Sequence, residues 1–303
     1  MTKHTPTKRN LAVITGADGG MGREITLAVA AKGYTVVMVC QNEEKAEPKR
    51  REIVACTGNK SVEIMTADFC SLASVGRLAD RLLQRNEPID LLMNNAGTLD
   101  PRHIETVDGL ARTTSVNYVA PYLLTRKLLP LMHSGSRIVN MVSCTYAIGK
   151  ITLPEFFTRG RKGGFWRIPI YGNTKLALTL FTLELADRVR NRGITVNAAD
   201  PGIVSTNIIK MYNPVIDILC DLFFRPFIRT PRQGAATAIN LLLDTDADGR
   251  SGTFNAGCRV KPLSPKYTEH PMRKILWDET EKIVKNYLCL LYTSDAADEL
   301  DGV

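Results

Sequence analysis

The stretch Asn10–Gly22 reads NLAVITGADGGMG, and its order of apolar run, glycine turn and helix start decides the architecture. NLAVIT is a short apolar run of the kind that forms a buried strand. Four glycines follow at 16, 19, 20 and 22, and Gly20–Lys32 then reads as an amphipathic helix. Glycines at such a corner remove the Cβ atoms that would hold backbone N–H groups away from a phosphate. The helix N-terminus adds unpaired donors and the positive end of its dipole. A tight turn alone would give the same letters; its position between a strand and a helix favours an anion cradle.

Outward from this corner the alternation continues. Strands are expected at Tyr34–Cys40, Ser61–Ala67, Ile89–Asn94, Ser136–Ser143 and Thr195–Ala199. Helices are expected at Glu43–Cys56, Ser71–Arg85, Asp108–Met132 and Ile170–Asn191. Strands separated by crossover helices build a parallel sheet, because parallel neighbours cannot be joined by a tight turn. The expected fold is α/β: a doubly wound, mostly parallel, Rossmann-type sheet in one domain.

The composition agrees with that fold. With 303 residues, 44% hydrophobic and 23% charged, the chain buries a substantial core without disulfides, and disorder, collagen and coiled coil are excluded. The seven cysteines (40, 56, 70, 144, 220, 258 and 289) are scattered without a C-x-x-C pair, and no histidine pair has H-x₃-H spacing. Neither a disulfide framework nor a metal site is expected, and the expected setting is reducing and cytoplasmic. The opening MTKHTPTKRN lacks the apolar segment of a secretory signal, and no run approaches the roughly 20 residues of a membrane span. The formal charge is +8, but its basic residues are dispersed and not interleaved with aromatics, so no nucleic-acid partner is expected.

Residues 289–303, CLLYTSDAADELDGV, hold four acids and no Lys or Arg and resemble a reading frame through a sequencing-library adapter. They are expected to be a non-native tail following a single domain over 1–288; without them the formal charge would rise to +12.

Y-x-x-x-K, which sets a phenol and an ammonium one helical turn apart, occurs twice. A phenol of pKa about 10 is a poor acid–base catalyst at neutral pH unless a nearby cation stabilises its phenolate. Tyr146/Lys150 contains Gly149 in a turn-rich stretch, whereas Tyr171/Lys175 opens a long helix after Pro169 and carries Thr174 before the lysine. The second copy is the expected pair.

With these motifs the chain resembles the short-chain dehydrogenase/reductase family from about Asn10 to Asn286. Thr15-Gly16-x-x-x-Gly20-x-Gly22, Asn94-Asn95-Ala96-Gly97 and Pro201-Gly202-x-x-x-Thr206 appear in family order. The resemblance implies an NAD(P)(H)-dependent oxidoreductase. Gly16, Asp18, Gly20, Met21 and Gly22 would lie at the pyrophosphate, with Asp68 and Phe69 at the adenine. Asn95, Ala96 and Gly97 would line the cofactor cleft; Pro201, Gly202, Val204 and Thr206 would hold the nicotinamide. Asn117, Ser143, Tyr171 and Lys175 would form the catalytic tetrad. In it Tyr171 moves the proton, Ser143 orients the substrate oxygen, and Lys175 depresses the Tyr171 pKa and grips the ribose. Asn117 would hold a water that links Lys175 to solvent.

Cofactor choice rests at the end of the second strand, Cys40-Gln41-Asn42, which has neither the acid of NAD-specific members nor the Arg of NADP-specific ones. The missing acid favours NADP(H) over NAD(H), with Lys45, Lys49 and Arg50 nearby to serve a phosphate and Asp18 to repel one. The 28 positions between Ser143 and Tyr171, and VNYVAPYLLTRKLLPLM, resemble the retinol-dehydrogenase and protochlorophyllide-reductase branch. That branch implies a small-molecule substrate, an apolar alcohol or carbonyl, with C=C reduction as an alternative. Phe156, Phe157, Phe165 and Trp166, with Arg159, Arg161, Lys162 and Arg167, read as an entrance lining or as a packed lid. Val215–Ile228 reads as an amphipathic lid helix with an option of peripheral membrane contact. A homo-oligomer stays open. The rival from another class is a catalytically silent dinucleotide-binding regulator, against which the intact tetrad argues.

Overall fold

A computed structural model describes residues 10–100, 102–158, 167–204 and 229–288. Its strands are β1 (Leu11–Thr15), β2 (Thr35–Cys40), β3 (Val62–Thr66), β4 (Ile89–Asn94), β5 (Met132–Met141), β6 (Thr195–Asp200), β7 (Phe254–Ala256) and β8 (Arg259–Val260). They form one sheet in the order β3-β2-β1-β4-β5-β6-β7-β8, parallel except for the final β7–β8 pair. The first six strands follow the doubly wound 3-2-1-4-5-6 order, as the alternation required.

Helices α1 (Gly20–Ala31), α2 (Glu43–Thr57) and α3 (Leu72–Arg85) make the first crossovers. Asn42 caps α2 by accepting from the Lys45 N–H at 2.8 Å, and Ser71 caps α3 by accepting from Ser74. The expected helix over 108–132 begins later and is composite. It runs from α4 (Arg112–Thr114) through a π turn at Ser115–Val119 into α5 (Ala120–Leu128) and closes on a 3-10 turn at Leu129–Leu131. Gly109, at φ +71°, places the preceding residues in a turn, and Met132 already belongs to β5, paired with Ile89. After α6 (Glu155–Thr158) comes α7 (Arg167–Val189), then helices Pro231–Leu243 and Met272–Leu288.

Alternate strand residues feed two cores. Ala12, Ile14, Val36 and Met38 pack with Ile25 and Val29 of α1 and with Ala238 and Leu241. Leu11, Val13, Val37 and Val39 pack on the other face with α3, α5, α7 and the Met272–Leu288 helix. There Tyr118, Tyr122, Phe156, Phe181 and Trp277 form an aromatic cluster, and the guanidinium groups of Arg126 and Arg188 both lie over the Trp277 ring. Phe156 and Phe157 are therefore packed core residues rather than an entrance lining, and Arg167 is buried. Phe165, Trp166, Arg159, Arg161, Lys162, the segment Val215–Ile228 and the tail 289–303 lie outside the described residues.

Beneath the aromatic cluster, Lys127 Nζ meets Asp80 Oδ1 at 2.7 Å with both side chains almost fully buried, and it also donates to the Tyr287 carbonyl at 2.8 Å. One ammonium thus joins α5, α3 and the last described helix. Removing one member of such a pair strands a charge in the interior. Lys127→Ala is expected to lower the unfolding free energy by about 3–5 kcal/mol. Lys282→Ala, which removes an exposed pair with Glu279, should leave it nearly unchanged. Urea unfolding followed by circular dichroism measures both, and equal losses would contradict the assignment.

Candidate active site

The glycine turn is locked by direct approach of backbone to backbone. Gly16 has φ +61° and donates its N–H to the Val39 carbonyl at 2.8 Å. A Cβ on Gly22 would lie 1.9 Å from the Gly16 carbonyl oxygen, so only glycine lets α1 start this close to the turn. Across the crevice, the buried Thr15 hydroxyl accepts from the N–H groups of Asn95 (2.9 Å) and Ala96 (3.0 Å) and donates to the Met93 carbonyl. The Asn95 amide donates back to the Thr15 and Gly16 carbonyls. The ends of β1 and β4 are thereby fixed to each other.

A cleft of about 380 Å³ opens beside them, lined by Gly16, Asp18, Gln41, Asp68, Phe69, Ala96 and Gly97 among the expected residues. It sits at the carboxyl edge of the sheet, at the switch point between β1 and β4. Its lining also includes Cys40, Cys70, Thr98, Arg112 and Val116, which sequence reasoning did not select. Burial pushes the Cys40 thiol up to about 12 and Cys70 up to about 11, each with a carboxylate (Asp18 and Asp68) adding to the rise. Arg112 is held by Asp100 through its Nε at 3.0 Å, and Asp100 also accepts from Thr98 and Thr113.

The basic residues expected to serve a phosphate are partly committed elsewhere. Arg50 is bidentate to Glu47 and Lys49 faces Glu52, both within α2, while Lys45 stays exposed. Gln41 Nε2 reaches Asp68 Oδ1 at 3.4 Å. Gly20, Met21 and Gly22 form the first turn of α1, and Thr206 lies outside the described residues.

The second half of the site stands on β5, β6 and α7. Tyr171 and Lys175 are one turn apart on α7, with the Lys175 ammonium 5.3 Å from the centroid of the Tyr171 ring. Lys175 Nζ donates to the Met141 carbonyl at the end of β5 at 2.7 Å. Asn117, buried in the π turn, is held by protein partners: its amide donates to the Thr98 carbonyl and the Thr174 hydroxyl, and its Oδ1 accepts from Thr98 N–H at 2.7 Å. Ser143, two residues beyond β5, accepts from Thr145 N–H and caps the 3-10 turn Cys144–Ile148. That turn lies directly on α7, since a Cβ on Gly172 would come within 2.7 Å of the Thr145 carbonyl. Ser143, Tyr171, Lys175 and Asn117 are thus linked by short steps. Pro201, Gly202 and Val204 follow β6 beside them.

The rival tyrosine is placed differently. Tyr146 lies in the 3-10 turn against the rings of Phe254 and Tyr267, and Lys150 is exposed. That pair has no α-helical turn between its members.

Burial pulls the Lys175 ammonium down to about 8, with the Asp200 carboxylate opposing the fall. Burial raises the Tyr171 phenol above its ordinary value, and Asp200 and then Cys144 add to the rise. Desolvation therefore sets the direction of the Tyr171 shift, opposite to the lowering expected from the motif.

Fold and cleft together define an α/β protein of the dinucleotide-binding type. Residues 16–244 match the family described as enoyl-(acyl carrier protein) reductase. Mouse retinol dehydrogenase 13 is 30% identical over 278 residues, covering 90% of this chain and 83% of that protein. Mouse retinol dehydrogenase 14 is 33% identical over 286 residues, covering 90% and 85%. Among solved structures, an uncharacterized protein from Mycobacterium paratuberculosis superposes with a TM-score of 0.71 at 27% identity, covering 91% of this chain and 93% of that one. A blue fluorescent protein from a metagenomic library, in complex with NADPH, does so at 0.64 and 25% identity, covering 82% and 95%. The chain belongs to the short-chain dehydrogenase/reductase family, in its retinol-dehydrogenase-like branch, and is an NAD(P)-dependent oxidoreductase.

The cradle test follows from the close approach at Gly22. Gly22→Ala forces the turn away from α1 and should weaken dinucleotide binding at least tenfold, about 1.4 kcal/mol, by isothermal titration calorimetry. Unchanged affinity would mean that this turn does not hold the cofactor.

Proposed function

We propose that this chain interconverts a carbonyl and an alcohol on an apolar small molecule with NADP(H), Tyr171 being the acid–base group. The observation that carries this reading is the Tyr171–Lys175 face of α7, against which the Ser143 turn is packed at Gly172. The residues present fit a dinucleotide: a cradle that only glycine can form, continuous with a cleft that runs past Asp68 to Gly97. Gly16, Asp18, Gly20, Met21 and Gly22 would hold its pyrophosphate, Gln41, Asp68 and Phe69 its adenosine end, and Asn95–Gly97 with Pro201, Gly202, Val204 and Thr206 the rest. Bound there, the nicotinamide supplies or accepts hydride at the substrate carbon.

The protein's own groups handle the oxygen and its proton. The Tyr171 hydroxyl donates its proton to the substrate oxygen in reduction and recovers one in oxidation. Ser143 donates a hydrogen bond to the same oxygen and holds it in line. The Lys175 ammonium, facing the Tyr171 ring, stabilises negative charge as it develops on the phenol oxygen. Asn117 holds Thr98 and Thr174 in place on either side, which keeps α7 in register with the β4 loop.

An apolar substrate is supported by the exposed isoleucines that flank these groups: Ile148 ends the Ser143 turn, Ile168 precedes Tyr171 by three residues on α7, and Ile203 follows Gly202. The retinol dehydrogenases among the relatives are named for an apolar alcohol, which points the same way. NADP(H) is favoured because β2 runs into Gln41 without an acid, and the metagenomic neighbour is in complex with NADPH.

Tyr171→Phe should cut turnover of NADPH with a panel of apolar aldehydes and ketones by a factor of about 100 or more, the range general acid–base catalysis supplies. Dinucleotide affinity should stay near wild type. Tyr146→Phe should retain most activity, and a reversal of the two would assign the chemistry to the other motif. Gln41→Arg should strengthen NADPH relative to NADH by about 1–3 kcal/mol, through a charge-assisted bond to the 2′-phosphate. An unchanged ratio of the two Kd values would place recognition of the 2′-position elsewhere.

A further inference from the structure

Arg229 is a charged side chain that no step above uses, and its main chain and guanidinium both close on the turn that follows β6. That turn, Pro201–Val204, leaves the sheet through Gly202 at φ +73°, a conformation glycine adopts without strain. On the strand side the Gly202 N–H donates to Asp200 Oδ1 at 3.0 Å. On the other side Arg229 Nη1 donates to the Pro201 carbonyl at 3.2 Å, and the Arg229 N–H donates to the Ile203 carbonyl at 2.9 Å. Val204 and Arg229 also pair as an isolated parallel bridge.

Glycine at 202 does more than permit the bend. A Cβ there would lie 3.2 Å from Arg229 Cζ, Nε and Nη1 alike. Equal distances to three atoms of one plane mean that the guanidinium presents its flat face to Gly202. All four residues of the turn are thus engaged by one arginine. The place of that arginine is set by the helix it precedes, which Thr230 and Gln233 cap reciprocally at 3.2 and 3.0 Å. Val204, 5% exposed, packs between this helix and the glycine cradle, since a Cβ on Gly234 would come within 2.5 Å of Val204 Cγ2 and 3.0 Å of Met21 Sδ. The turn is therefore seated against α1 at its end and covered by the guanidinium at its middle.

We propose that Arg229 is a positioning residue for the nicotinamide half of the dinucleotide: its guanidinium covers Gly202 and holds the Pro201 carbonyl, which keeps the backbone of the turn in one orientation. This rests on the placing of the nicotinamide at Pro201, Gly202 and Val204 in the function proposed above. Without the guanidinium the turn regains the conformational freedom of a glycine, and binding must order it again at a cost in affinity. That cost falls only on a ligand that reaches the turn.

The test compares calorimetric Kd values for NADPH with those for 2′-phospho-ADP-ribose, which is NADP without its nicotinamide. Arg229→Met keeps an unbranched stem and removes the donor and the charge. It should weaken NADPH about tenfold and leave 2′-phospho-ADP-ribose within about twofold. Gly202→Ala, whose Cβ displaces the guanidinium, should show the same split. The double variant should lose no more than the worse single one, because both act through one contact. Equal weakening of the two ligands would make Arg229 a structural or general electrostatic residue, and additive losses would deny the contact; either result overturns the proposal. If Gly202→Ala alone weakens NADPH selectively, the nicotinamide placement stands and the role of Arg229 falls. If neither variant changes the NADPH affinity, the placement falls with it. None of these measurements needs turnover. A wild-type enzyme inert towards every carbonyl would therefore count against the chemistry proposed for Tyr171, while the Kd values still decide the role of Arg229.

Discussion

A single buried hydroxyl holds the crevice on which the site depends. β1 and β4 are adjacent in the sheet, yet β1 feeds α1 on one face and β4 leads to α5 on the other. At such a divergence the carboxyl ends of the strands are left with unpaired backbone groups facing a gap. Thr15 meets this with one oxygen that accepts from Asn95 and Ala96 and donates to Met93, while Asn95 returns two bonds to the Thr15 and Gly16 carbonyls. The gap keeps a fixed width, and the glycine turn lies beside it with its approach to α1 set by Gly22.

The catalytic half is fixed to this cradle by a second set of buried polar contacts. Asn94 donates to Thr125 and Asn140, and Asn140 donates to Thr182 of α7. This ladder runs across β4 and β5 and joins α5 to α7 within an otherwise apolar interior. Buried amide bonds of this kind favour one register of helix on sheet. The same helix then carries Tyr171 and Lys175 to the sheet edge, and Lys175 is anchored to β5 through the Met141 carbonyl. Positioning here is a property of the fold's interior, not of surface loops.

What the sequence made legible was local. The glycine turn and the Tyr171/Lys175 spacing each lie within a single corner or helical turn, so their letters carry their geometry. Gly149 and its turn-rich surroundings separated Tyr146/Lys150 from the helical pair for the same reason, and the 3-10 turn there bears out that contrast. Less legible were features assembled across the sheet. Arg112 and Cys70 both line the cleft from distant segments, and nothing in their own segments marks them. Phe156 and Phe157 read as an entrance lining or as a packed lid, and packing against Tyr118 and the neighbouring core decides for the packed reading. The direction of the Tyr171 shift also escaped, because burial is a tertiary quantity that two residues four apart cannot reveal.

The most direct measurement of the central claim follows the hydrogen itself. NADPH deuterated at the reactive face of C4, incubated with the protein and an apolar aldehyde, should place one deuterium on the former carbonyl carbon of the product alcohol, as read by mass spectrometry and proton NMR. Incorporation at a carbon of a C=C bond in an unsaturated substrate, with the carbonyl untouched, would contradict the account. So would consumption of NADPH with no label in any product.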